Sequence, residues 1–369
     1  MPRRSRLFSL SSLARAYQRN LKAFARVAGA ASKPVRAKAV SRLRAAPRTG
    51  AVAPAPPAAR APRPAAKPVP LRGDWISGVA PGPAGARRFH AYVPNGLALR
   101  PGDKLPLLVM LHGCGQTGRD MAAVSRMNRL AARQRFVVLY PEQERMANAH
   151  GCWNWFERRN GRAEAEAATL LAAVDKLARR LPVDLARVAV AGLSAGASMA
   201  VLMAALFPDR FCAVAMHSGV APGTAESAAT ALAAMHGRRQ AHLPAPPAAA
   251  AAATTALPVG TPAALPPLLI LHGDADGVVS VRNAAATAQL WAGALGARAG
   301  AIRTLQRGRR YPMRVTEFKA RGRTVVALRE VVGLAHAWSG GAAQRPYSDP
   351  AGPDASALIW AFVARQFGK

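Results

Sequence analysis

The feature that most constrains this chain is an apolar run, Val188-Ala189-Val190-Ala191, that breaks into Gly192-Leu193-Ser194-Ala195-Gly196 and continues as an alanine-rich segment. A strand that turns at once into a helix has no room for side chains at the flanking positions, so glycines stand there. The turn pushes the central hydroxyl out above the sheet, and the helix N-terminus favours developing negative charge. The pentapeptide alone is common by chance. Its strand–turn–helix context makes Ser194 a candidate nucleophile rather than an inert serine in a small-residue turn.

The rest of the chain alternates as such a turn requires. Short apolar runs predict strands at 105–112, 136–141, 187–193, 211–217 and 267–272, with further strands at 313–319 and 324–333. Helical spacing falls at 164–180, 195–207, near 281–295 and at about 354–366. Buried strands alternating with helices imply a mainly parallel α/β sheet covered on both faces, with sites at the carboxyl ends of strands. Segments 75–79 and 87–93 supply an antiparallel edge.

Charge is unevenly spread. The chain of 369 residues has a net charge of +33, and residues 1–73 hold 17 Arg or Lys and no Asp or Glu. Such a segment either favours a polyanion or is simply solvated. Leu10, Leu13, Tyr17, Leu21 and Phe24 share one face of a helix over the first residues, with basic residues largely on the others. A basic amphipathic helix can lie on an anionic or hydrophobic surface, so residues 1–44 are a candidate surface contact; capping the domain and cleavage as a targeting segment are the alternatives. Basic residues interrupt any signal-peptide core there. Residues 45–72, rich in Ala, Pro and Arg, read as an extended linker, and the folded domain is expected over 74–369. A second low-complexity stretch, about 222–266, reads as a flexible insertion with few large side chains to bury. Nothing marks specific nucleic-acid recognition, and oligomeric state is not legible.

A serine hydroxyl needs a base. Where a nucleophile turn of this kind occurs, the chain order is serine, acid, histidine. His336, in Gly333-Leu334-Ala335-His336-Ala337-Trp338 after the last strand, is the candidate base. His217 and His272 end strands and read as structural or pocket-lining; His236 and His242 flank the low-complexity stretch. The acid falls in Gly273-Asp274-Ala275-Asp276-Gly277, with Asp276 deeper in the loop and Asp274 as the alternative or as a loop-rigidifying group. Two backbone donors are needed for an oxyanion: Ala195 N–H, and Cys114 N–H in the loop His112-Gly113-Cys114-Gly115-Gln116.

Of three cysteines, Cys114 and Cys152 either bridge or remain separate thiols, and Cys212 sits in an apolar strand. Trp153, Trp155 and Phe156, with Trp338 beside the base, form either packing or a substrate-facing wall. No metal spacing is present, and acyl transfer to water requires no cofactor.

The motifs LHGCGQTGRDM, FVVLYPEQ, CWNWF, RVAVAGLSAGASMA, HGDADGVV and GLAHAWSGG together resemble the polyhydroxybutyrate depolymerase family of esterases, related to feruloyl and acetylxylan esterases. The resemblance covers about residues 74–369 outside the low-complexity stretch. It implies an α/β-hydrolase fold and a serine carboxylesterase with Ser194, Asp276 and His336 as triad and the Cys114 loop in the oxyanion hole. It implies a polymeric or oligomeric hydroxyalkanoate ester as substrate, with a feruloyl or acetyl ester as runner-up, and an extracellular location. The unclear signal segment leaves a cytoplasmic or granule-associated location as the alternative. A non-catalytic protein binding a granule or polymer surface is the reading from another class.

Overall fold

The computed structural model describes residues 73–244 and 264–367. The amphipathic segment and linker before Gly73, and the polyalanine run at 248–253, lie outside the described residues.

The chain enters through an antiparallel pair, β1 (Gly73–Ala80) and β2 (Arg87–Pro94). It then builds β3 (Leu105–Leu111), α1 (Gly118–Ser125), α2 (Met127–Gln134), β4 (Val137–Pro141), α3 (Arg162–Ala178), β5 (Val183–Leu193) and α4 (Ala195–Leu206). Next come β6 (Ala213–His217), α5 (Ala228–Met235), β7 (Leu268–Gly273), α6 (Arg282–Ala294), β8 (Arg298–Ala299), β9 (Arg303–Leu305), β10 (Met313–Ala320) and β11 (Arg323–Val331). A small pair, β12 (Trp338–Ser339) and β13 (Ser348–Asp349), precedes α7 (Ala355–Ala364).

One sheet runs in the order β1-β2-β4-β3-β5-β6-β7-β11-β10-β8, with β9 also on β10. From β4 to β11 neighbours are parallel; β1–β2 at one end and the β10–β11 hairpin at the other are antiparallel. Strand pleating sorts the core into two layers. Leu107, Val109 and Leu111 of β3 pack with α3, α4 and α6, whereas Leu108 and Met110 pack with α1, α2 and α7. Every residue of α4 is buried, as an apolar helix under the centre of a sheet must be.

Two departures from the sequence expectation have physical reasons. The helices α1 and α2 were not foreseen, because each is only eight residues long and α2 carries exposed polar residues. A capping box between Thr117 and Asp120 starts α1, and Arg126 in a left-handed conformation joins the two. The stretch at 222–266 is not one flexible insertion, since residues 222–244 carry α5. Its small residues Ala231 and Ala234 pack with Phe156, Val220 and Val279, and the Asn283 side-chain amide donates to the carbonyls of Ala234 and Met235. Small side chains here allow close approach rather than signalling the lack of a core.

Candidate active site

At the carboxyl end of β5, Ser194 sits at φ 56°, ψ −121°, a strained conformation for a non-glycine residue. Close packing enforces it. A Cβ on Gly192 would stand 2.3 Å from Gly196, and one on Gly196 would stand 2.3 Å from the Leu111 carbonyl oxygen. The Ser194 N–H donates to the His217 carbonyl at 2.9 Å, fixing the turn to β6.

Two strands away, the loop after β7 meets the loop after β11. The position of a Gly273 Cβ falls 1.9 Å from the Leu334 carbonyl oxygen, so only glycine permits this approach. Asp276 Oδ2 accepts from His336 Nδ1 at 2.7 Å. Asp276 Oδ1 accepts from the N–H groups of Val278 and Val279, both at 2.9 Å. Burial alone would raise this carboxyl. The neighbouring His336, with hydrogen bonds from His272 and His336, overrides burial and holds it well below the usual carboxylate range. An ionised Asp276 keeps the proton on His336 Nδ1 and leaves a lone pair on Nε2. Asp274 takes the rigidifying part, accepting the Gly333 N–H at 2.7 Å and an Arg314 contact at 3.3 Å.

Two further histidines are enclosed between these loops. His272 Nε2 lies 2.8 Å from the Val279 carbonyl and 3.4 Å from Asp276 Oδ2, so it bears the proton. His217 accepts the Ser339 N–H on Nε2 at 3.1 Å and contacts Ser218 Oγ through Nδ1 at 3.2 Å. Burial, reinforced by His272 and His336 and opposed by Asp276, pulls His217 down to about 3, so it is neutral. Both are structural groups.

The opposite wall is the loop after β3. A Gly113 Cβ would lie 3.7 Å from Ser194 Cβ, which sets this loop against the turn. Gly113 N–H is held by Gln116 Oε1 at 2.9 Å, and His112 Nε2 accepts the Gln143 N–H at 3.1 Å. Cys114 and Cys152 form a disulfide, resolving the open pairing. As the first residue of α4, Ala195 has no intrahelical partner for its N–H.

The tryptophans divide. Trp153 is fully buried, its ring tilted against His112 at 4.8 Å, and donates Nε1–H to the His112 carbonyl at 3.0 Å. Trp338 is fully buried, stacks on His217 at 5.0 Å and donates to Ser356 Oγ at 3.2 Å. Neither ring is open to a ligand, which corrects the expectation of a substrate wall for both: each indole instead pins a loop. Trp155 is half-buried, edge-on to Phe156 at 5.4 Å. Cys212 is also structural; its thiol donates to the Val188 carbonyl at 3.1 Å, and burial pushes it up to about 12.

A group that sequence reasoning missed is Glu166 on α3. Fully buried, it pairs with Arg87 at 2.8 Å and accepts from Gln143 Nε2 at 2.7 Å and the Asn154 N–H at 2.6 Å. Its only sequence signal is a carboxylate on the apolar side of a helix.

A family model described as Esterase PHB depolymerase matches residues 88–306. Poly(3-hydroxyalkanoate) depolymerase C of Paucimonas lemoignei is 37% identical over 145 residues, 39% of this chain and 34% of that protein. A probable acetylxylan esterase A of Aspergillus clavatus is 31% identical over 217 residues, 56% of this chain and 66% of its own. Feruloyl esterase B of Neurospora crassa is 33% identical over 144 residues, 39% of this chain and 48% of that protein. The chain thus spans between about a third and two thirds of the length of these relatives. A solved structure of acetyl xylan esterase from Aspergillus awamori superposes with TM-score 0.56 at 22% identity, covering 72% of this chain and 94% of that one. The shared fold is that of the α/β-hydrolases.

Proposed function

Because the chain belongs to the Esterase PHB depolymerase family, we propose that it is a serine carboxylesterase cleaving hydroxyalkanoate polymer or oligomer esters through an acyl-enzyme. The observation that carries the chemistry is the His336–Asp276 hydrogen bond of 2.7 Å, formed by loops of the same sheet whose β5 ends in the Ser194 turn.

In this reading His336 Nε2 takes the Ser194 proton as Oγ attacks the ester carbonyl, and Asp276 stabilises the imidazolium. The N–H groups of Ala195 and Cys114 receive the oxyanion. His336 then protonates the leaving alcohol, and later activates water to release the acyl group. The disulfide keeps the Cys114 backbone in place without a side-chain role in the chemistry. Half-buried Trp155 remains the candidate to line the substrate path. The disulfide also fits an oxidising compartment, which supports an extracellular location. Residues 1–44 would then help dock the enzyme on a polymer or anionic surface.

The relatives named for acetylxylan and feruloyl esters support a second substrate reading. A hydrolysis panel of hydroxybutyrate oligomers, polymer granules, acetylated xylan and methyl ferulate separates the two. Ser194→Ala is expected to lower kcat on p-nitrophenyl butyrate by at least about 10³-fold. Unchanged activity in that variant, or an inactive wild type, would sink the esterase reading and favour a surface-binding protein.

A further inference from the structure

Arg329 of β11 lies in register with Val315 of β10, and Val315 with Arg303 of β9. On its inner side Arg329 pairs with Leu271 of β7. Residues in register across a sheet project from one face. Leu271 belongs to the layer under α7, and Val315 packs with Leu334 against Leu358 of α7. The row Arg303–Val315–Arg329–Leu271 therefore faces α7, and its outer end is where apolar filling stops. Arg365 caps the C-terminus of α7 at this end, and Arg307 stands in the connection between β9 and β10.

Arg303 and Arg329 share this face by register, and Arg307 and Arg365 lie close enough to Arg329 to act on it electrostatically. Glu317, two residues from Val315 on the same face, pairs with Arg303 at 3.3 Å. Burial pulls the Arg329 guanidinium below its ordinary value; Glu317 opposes this, and Arg365, Arg303 and Arg307 add to it. Arg329 Nε is buried and makes no hydrogen bond. Buried charged donors are ordinarily paired, because an unmade hydrogen bond there is expensive. The residue as a whole is half-buried, so part of it is open to solvent.

We propose that this arginine shelf is a binding site for a multivalent oxyanion, one bearing clustered phosphoryl or carboxylate groups. Planar guanidinium forks match both groups bidentately, and a single phosphate or carboxylate would leave several of the four unpaired. The site is separate from the Ser194 chemistry and goes beyond the esterase reading.

The test is titration calorimetry of the full chain with tripolyphosphate in one arm and citrate in the other, at physiological ionic strength. Wild type is expected to bind one of them at the shelf, and Arg329→Met, which keeps the apolar stem, to bind at least tenfold more weakly. The arm that shows the loss identifies the chemical group. A triple variant in the basic N-terminal segment, Arg36→Gln, Lys38→Gln and Arg42→Gln, is expected to retain shelf binding. Should Arg329→Met fail to fold, the exposed pair Arg307→Gln and Arg365→Gln serves in its place. Equal affinity in wild type and shelf variants, or no wild-type binding to either probe at millimolar concentration, overturns the proposal. Hydrolysis of p-nitrophenyl butyrate is expected to be unchanged in the shelf variants, so a failed shelf and a failed esterase reading are told apart.

Discussion

His217 joins the two halves of the candidate site without belonging to the proposed triad. Its carbonyl holds the Ser194 N–H, its Nε2 holds the Ser339 N–H three residues past His336, and its ring stacks on Trp338. His217→Leu removes the ring acceptor while keeping bulk, and is expected to lower kcat by about 10-fold or more with little change in KM. His217→Gln, whose amide oxygen can accept the same N–H, is expected to recover most of that loss; a variant as poor as leucine would refute a positioning role. The same residue sets a pH dependence. An unfolded histidine titrates near 6.5, whereas folded His217 is held down to about 3 by burial. Between those values the unfolded chain binds more protons, so stability falls as pH drops below 6.5, by about 1.4 kcal/mol per unit from this residue. Urea unfolding at pH 7 and pH 5 should show a slope in wild type that His217→Gln reduces by that amount. Asp276 acts on a lower window: its folded carboxyl is depressed, so its contribution is fully present above the ordinary carboxylate range and is lost as pH falls below that range toward the depressed folded value.

At the scale of elements, the loop between β4 and α3 is held by two independent devices. The disulfide fixes it to the Cys114 loop, and Glu166 fixes it to β2 and α3 through Arg87, Gln143 and Asn154. Glu166→Ala leaves the Arg87 guanidinium buried and unpaired, and should cost about 3–5 kcal/mol in denaturant unfolding. Closing a loop with a sequence separation of 38 restricts the unfolded chain by about 4 kcal/mol in the chain-entropy account. Reduction with dithiothreitol should therefore lower the unfolding midpoint, and a midpoint indifferent to reductant would show that native strain cancels the gain. Ser194, Asp276 and His336 can be proposed from sequence because each sits in a short segment that combines a strand end with its turn. Arg87, Gln143, Asn154 and Glu166 meet only in space, and no local pattern joins them. Packing and a substrate wall stay open in sequence for Trp153 and Trp338 for a related reason: an aromatic in a loop near candidate catalytic residues reads alike whether its ring points in or out. The long alternating elements followed from periodicity, whereas α1 and α2 are too short for periodicity to act, and only the Thr117–Asp120 cap could have announced them.

For the whole molecule, charge separates adsorption from chemistry. Half of the net charge resides in residues 1–73, with 17 basic and no acidic residues, and the described residues begin with β1 at Gly73. Each basic residue near an anionic surface contributes about 1 kcal/mol, within a Debye length of roughly 8 Å at physiological salt that shrinks to about 3 Å at 1 M. The sheet's far end keeps a smaller basic surface, where the short strands β8 and β9 carry Arg298 and Arg303 and so discourage edge pairing with another chain. Removing residues 1–72 should therefore weaken retention on vesicles of anionic phospholipid by more than tenfold at 0.1 M salt. Raising salt to 1 M should bring the full chain down to the truncated one. Turnover of p-nitrophenyl butyrate, a neutral soluble ester, should stay within about twofold, because the hydrogen bonds described for Ser194, Asp276 and His336 are made within the retained residues. Retention that survives both truncation and high salt would place the surface contact on the folded domain and make it apolar; Ile302 and Leu305, 67% and 43% exposed beside Arg303, are the residues to test next.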